Sequence, residues 1–140
     1  MNRRNFIQKS CATCIGLTGM GFLLQSCSTS LPVFTAQVNK KIMTIPVSKF
    51  QELKTNLLLL RNNSLEYDIL LVKNNDGYKA LSMECTHQSA SLTPTTTKII
   101  CSAHGSQFDL NGNVIKEPAL TPLHQYKTVI QNQSITIFLS

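Results

Sequence analysis

With 140 residues, 42% hydrophobic content, 6% aromatic content and no Trp, the chain has room for one domain plus an appendage, its core built from Ile, Leu and Val. The net charge of +6 is divided: residues 1–26 carry Arg3, Arg4 and Lys9 and no acid, whereas residues 27–140 carry ten Lys or Arg against seven Asp or Glu. The charges of the longer part are scattered, with no basic run interleaved with aromatics, so nucleic acid is excluded as a partner.

The N-terminus is a processing signal. A basic head, Met1–Lys9, precedes 14 apolar, Gly-containing residues from Cys11 to Leu24. That stretch is short of the roughly 20 residues a membrane-spanning helix needs, and Gly16, Gly19 and Gly21 weaken it further. The pattern predicts a signal peptide over residues 1–26. Arg3-Arg4-Asn5-Phe6-Ile7 resembles a twin-arginine export signal, with Asn2 and Gln8 in place of the usual Ser or Thr and Lys. That resemblance implies export in the folded state, a route suited to a cofactor assembled in the cytoplasm. Leu24-Gln25-Ser26-Cys27 resembles a lipobox, which implies that Cys27 is the first mature residue and carries lipid on the periplasmic face of a bacterial membrane. An uncleaved signal anchor with Cys27 as an ordinary thiol is the alternative. Cys11-Ala12-Thr13-Cys14 lies inside the signal rather than beside a βαβ pattern, so it is no redox motif. Of five Cys, two leave with the signal and one takes lipid, so Cys85 and Cys101 remain. In an exported protein such a pair could form a disulfide.

Residues 27–40 read as a lipidated tether, with a first strand near its end; residues 41–140 read as the folded domain. Lys41–Val47 alternates as a strand that Pro46 places at an edge, and Ser48–Lys54 forms a helical turn. Leu57–Arg61 and Tyr67–Lys73 are apolar runs of strand length. Asn74-Asn75-Asp76-Gly77 is a hairpin turn that returns as Tyr78–Glu84. Lys98–Cys101 is a short strand. Asn111-Gly112-Asn113 turns between Phe108–Leu110 and Val114–Ile115. Pro118 and Pro122 bracket a loop, and His124–Gln131 with Ser134–Leu139 make a last hairpin. No segment after residue 54 has helical periodicity, so the expected class is all-β, with small antiparallel sheets.

Cys85-Thr86-His87 and Cys101-Ser102-Ala103-His104 each end a predicted strand. Thirteen residues separate His87 from Cys101. Two loops, each offering a thiolate and an imidazole, can converge on one site. A Rieske centre takes two Cys on one iron and two His on the other. A mononuclear zinc site uses the same residue types, but usually as C-x₂₋₄-C and H-x₃₋₅-H.

The run Cys101-Ser102-Ala103-His104-Gly105-Ser106-Gln107-Phe108-Asp109 resembles the second box of the Rieske family, and Cys85-Thr86-His87 resembles the opening of the first. Glu117-Pro118-Ala119 matches the family's proline loop. The resemblance covers residues 41–140, with a shorter spacer between the boxes than is common. It implies a Rieske-like fold with a cluster-binding subdomain of two loops, holding a 2Fe–2S cluster through Cys85, His87, Cys101 and His104. Ala90 and Ala103 stand where high-potential members carry a disulfide. Ser106 stands where the family places a hydroxyl donor to a bridging sulfide, and Phe108 where high-potential members have a Tyr. The implied potential lies in the middle of the roughly −150 to +300 mV range of such centres. His124, outside both boxes, reads as structural. The implied function is electron transfer by a membrane-anchored exported protein, with redox proteins or a respiratory-type complex as partners. The alternatives are a small Rieske subunit of a larger oxidase or quinol-oxidising complex, and a non-redox lipoprotein stabilised by zinc.

Overall fold

The structure, a computed structural model, describes residues 30–140. The expected export signal with Arg3 and Arg4, and Cys27, lie outside these residues. In chain order the elements are β1 (Val33–Thr35), β2 (Val38–Asn39), β3 (Ile42–Pro46), α1 (Ser48–Glu52), β4 (Leu57–Arg61), β5 (Ile69–Asn74), β6 (Gly77–Ser82), β7 (Thr93–Pro94), β8 (Ile99–Ile100), β9 (Gln107–Phe108), β10 (Val114–Lys116), β11 (Gln125–Gln131) and β12 (Ser134–Phe138). The all-β expectation holds. An eight-stranded sheet runs β1-β4-β5-β6-β11-β12-β3-β2, and a four-stranded sheet runs β10-β9-β8-β7. All of these pairings are antiparallel except β1 with β4, which is parallel.

The uninterrupted apolar runs Leu57–Leu60 and Ile69–Val72 follow from burial on both sheet faces, since successive side chains in a strand point opposite ways. Leu58, Leu60, Ile69 and Leu71 enter one core with Met43, Ile45, Phe50, Ala80, Ile135 and Ile137. Leu57, Leu70 and Val72 enter the other, with Leu81, Met83, Leu92, Ile99, Phe108 and both thiol residues, Cys85 and Cys101. The four-stranded sheet thus packs across the outer face of β4–β6 and carries the candidate site with it.

Residues 33–39, in the stretch read from sequence as a tether with a first strand near its end, supply two strands, β1 and β2. The β2–β3 turn is made by Lys40 and Lys41 at φ 49° and 63°, the left-handed pair a two-residue hairpin needs. Asn132 and Gln133 do the same between β11 and β12, at φ 50° and 58°. Because β2 pairs only with Met43 and Ile42, the Pro46 end of β3 has β12 on one side and no strand on the other. The edge position expected for Pro46 is therefore local. Gly112 turns β9 into β10 at φ 88°, and a Cβ there would lie 3.0 Å from Leu81 Cδ2. The turn packs this closely because the Gly112 carbonyl accepts from Leu123 N–H at 2.8 Å, drawing the proline loop inward.

Candidate metal centre

The two boxes fold as matching loops. Cys85 N–H donates to Ala90 O, and Cys101 N–H donates to Ser106 O, both at 2.9 Å and both across five residues. Each loop is thereby closed on its own cysteine. The second closes more tightly, since Gly105 N–H also donates to Cys101 O at 2.9 Å, with Gly105 at φ 83°. The proline loop clamps both. Ala119 N–H donates to the buried Ser106 hydroxyl at 3.0 Å, and the Thr86 hydroxyl donates to Thr121 O at 2.7 Å. Tyr67 reaches across from the β4–β5 connection, its hydroxyl donating to Ser89 O at 3.2 Å. No free thiol stands at Ala90 or Ala103; the free cysteines among the described residues are Cys85 and Cys101, both buried.

The four expected donors fall into two sets, the buried cysteines and the two histidines. Cys85 and Cys101 are buried in one core, and the Cys85 side chain is near enough to lower the Cys101 pKa. The rings of His87 and His104 meet edge to face, 4.9 Å between centroids. Among the described residues no three His, Cys, Asp or Glu side chains are placed to hold a single metal ion. Burial pushes the Cys101 thiol up, but the backbone N–H of His104, the Cys85 side chain and the N–H of Ala103 outweigh it, holding its pKa below the ordinary thiol value. Inward-pointing N–H groups of this kind stabilise negative charge on sulfur. His87 Nδ1 is buried and has no hydrogen-bond partner. A buried ring nitrogen left unsatisfied is costly, and in the neutral tautomer with its proton on Nε2 that nitrogen is a free lone pair for a metal. The donor set fits a two-iron group bound by thiolates on one side and imidazoles on the other.

Ser106 and Phe108 are both fully buried beside this set. The Ser106 oxygen is pinned by Ala119 N–H, which leaves its own hydrogen free to donate. Phe108 belongs to the same core as Cys85 and Cys101. The sequence reading missed the position of His124. It lies one residue before β11, is exposed, and sets its ring edge-on to Tyr126 at 4.6 Å. With Glu84, Thr86, His87, Gln88 and Thr121 it lines an open cleft of about 330 Å³. Only the 37-residue separation from His87 in sequence hid this; the Ser82 N–H to His124 O bond at 2.9 Å brings the two segments together.

A family model for the Rieske [2Fe-2S] domain matches residues 43–127, and the chain belongs to that family, whose members bind a 2Fe–2S cluster. It is 31% identical over 74 residues to the cytochrome b6-f complex iron-sulfur subunit of Chlorobaculum thiosulfatiphilum, covering 51% of this chain and 41% of that protein. Against apoptosis-inducing factor 3 of Mus musculus it is 32% identical over 73 residues, 49% of this chain and 12% of the other. The chain thus spans less than half of the length of these curated relatives. The fold is similar to that of the plasma membrane Rieske protein of the cyanobacterium Synechocystis PCC 6803, with a TM-score of 0.55 and 26% identity over 67% of this chain and 96% of that one.

Proposed function

We propose that this chain is a one-electron carrier in which Cys85 and Cys101 ligate one iron of a 2Fe–2S cluster and His87 and His104 the other. The observation that carries the reading is the buried, partnerless Nδ1 of His87 beside the His104 ring, with both thiols buried in one core below. The cluster, when bound, supplies a site that gains and loses one electron. The protein supplies the rest. The N–H groups of Ala103 and His104 face Cys101 and offset negative charge there. Ser106, held by Ala119, keeps a hydroxyl hydrogen available for a sulfur. Phe108, buried, keeps water from the thiolates without adding a donor. His104 is exposed, so electrons leave and arrive through the imidazole side.

The finer reading has residues 1–26 removed after export through the twin-arginine signal at Arg3 and Arg4, and Cys27 lipidated as the membrane anchor. Redox proteins are then the partners. A second reading, a Rieske subunit of a quinol-oxidising complex, is favoured by the named role of the Chlorobaculum relative. Anaerobic purification with iron and sulfide analysis and electron paramagnetic resonance tests the centre. Two irons and two sulfides per chain, lost together in Cys101→Ser, are expected. A colourless protein holding one zinc would replace this reading with that of a zinc-stabilised binding module.

A further inference from the structure

The position at which the chain joins the fold bears on where the cluster faces. β1 runs parallel to β4 with Val33 opposite Leu59, and the ladder continues from Leu59 to Leu70 and from Leu70 to Leu81. Leu31, two residues before Val33, therefore stands level with Leu57, Val72 and Lys79. Cys85 lies six residues beyond Lys79 on the chain that extends β6. At about 3.3 Å per residue, that is about 20 Å along the strand direction. Leu31 is also the first of the described residues to pack: Ser30 is exposed, Leu31 lies against the core, and Pro32 O accepts from Leu59 N–H at 3.0 Å. The chain joins the domain at the pole opposite the histidines.

From Cys27 to Leu31 there are four Cα–Cα steps, which span at most about 14 Å whatever their conformation. We propose that the lipid on Cys27 holds the Leu31 pole against the bilayer and turns the His87–His104 tip to the water, so that the electron partner is a water-soluble redox protein rather than a quinol dissolved in the membrane. This rests on the lipidation reading above. To stand upright on its tip, the domain has to hold the Leu31 pole about 20 Å above the bilayer, and about 14 Å of chain does not reach. The tip offers a partner a largely uncharged rim around the cleft that Glu84 and His87 line. Thr86, Ser102, Ala103, Leu120 and Thr121 are exposed and carry no charge, and Leu120, on the loop clamped to both boxes, is 80% exposed.

The test uses the membrane-extracted, cluster-loaded protein returned to phosphatidylcholine vesicles. Mass spectrometry of its N-terminal peptide comes first. An unlipidated Cys27 overturns the anchor and this orientation together, with the cluster spectrum as the separate record of the centre. For the lipidated protein, the relaxation of the reduced cluster's paramagnetic resonance is measured with a gadolinium chelate on lipid headgroups and with the same chelate dissolved in the buffer. The dissolved chelate is expected to enhance relaxation more strongly than the headgroup chelate. An insertion of about ten Gly and Ser residues after Cys27, adding up to about 35 Å of reach, should raise the headgroup effect. Headgroup enhancement equally strong with and without the insertion overturns the proposal. So does rapid cluster reduction by decylubiquinol in the bilayer of the native-length protein, with slower exchange with soluble cytochrome c.

Discussion

Replacing Ser106 with Ala removes one oxygen and alters two things at once. The Ala119 N–H loses its acceptor in a fully buried position. An unsatisfied buried N–H costs about 1–3 kcal/mol, so the apparent melting midpoint of the loaded protein falls. The cluster sulfurs also lose a hydroxyl donor. A hydrogen bond to a charged group contributes about 1.5–3 kcal/mol, and a one-electron couple shifts about 59 mV per tenfold change in equilibrium constant. If the bond forms chiefly in the more negative, reduced state, the potential of Ser106→Ala falls by about 60–130 mV. Voltammetry of the protein on an electrode, with the iron content measured on the same sample, reads the shift. Ser106→Thr, which keeps the hydroxyl, should recover most of it. A fully loaded Ser106→Ala protein with an unshifted potential refutes the assignment of the hydroxyl to sulfur and leaves Ser106 as a clamp for the proline loop alone.

Phe108→Tyr is expected to raise the potential, since a buried phenol seeks an acceptor and the thiolates share its core; no rise in a loaded variant removes that reasoning. Asp109 should make acid stability measurable. Burial pushes its pKa up, but bonds from the Asn113 side chain and the Asn113 and Asn111 N–H groups, with Lys79 nearby, outweigh this and hold it below the ordinary value. A lowered native pKa means stabilisation that is present above the unfolded value near 3.9 and lost as pH falls through the native one. Asp109→Asn therefore costs about 1–2 kcal/mol at pH 7 and flattens the pH dependence below about pH 4, as seen in melting midpoints across that range. Gly112→Ala places a side chain at positive φ and drives a methyl to 3.0 Å from Leu81. A loss of about 2 kcal/mol or more is expected from strain and overpacking together, and an unchanged urea midpoint contradicts it.

The central strands were legible because their apolar runs are bounded by turn residues. Leu57–Arg61 was read with the bounds observed, and the turn ending in Gly77 was seen with its flanking strands. The two boxes were legible as well, since C-x-H and C-x-x-H announce themselves; the structure sets the rings of His87 and His104 edge to face and buries Cys85 and Cys101 in one core. What escaped did so for different reasons. Val33–Thr35 is three residues long and gains its place only from β4, some 26 residues on. β2 is closed by a Lys-Lys turn, where the left-handed conformation has neither Gly nor Asn to signal it. The β7 strand, Thr93–Pro94, sits in the spacer between the boxes and contains the residue that argues against a strand; its position at the sheet edge tolerates it. His124 was read as structural because a lone His carries no local sign of the cleft it borders.

The clamp formed by the proline loop has a consequence for how the domain meets thiol reductants. Where a bridged cradle depends on a covalent link between sulfurs, this one is fastened by Ala119 to Ser106 and by Thr86 to Thr121. Glutathione or dithiothreitol finds no bond there to cut. The shape of the cradle is thereby made indifferent to the thiol balance of its surroundings, and an episode of reducing stress leaves the grip of the loops intact.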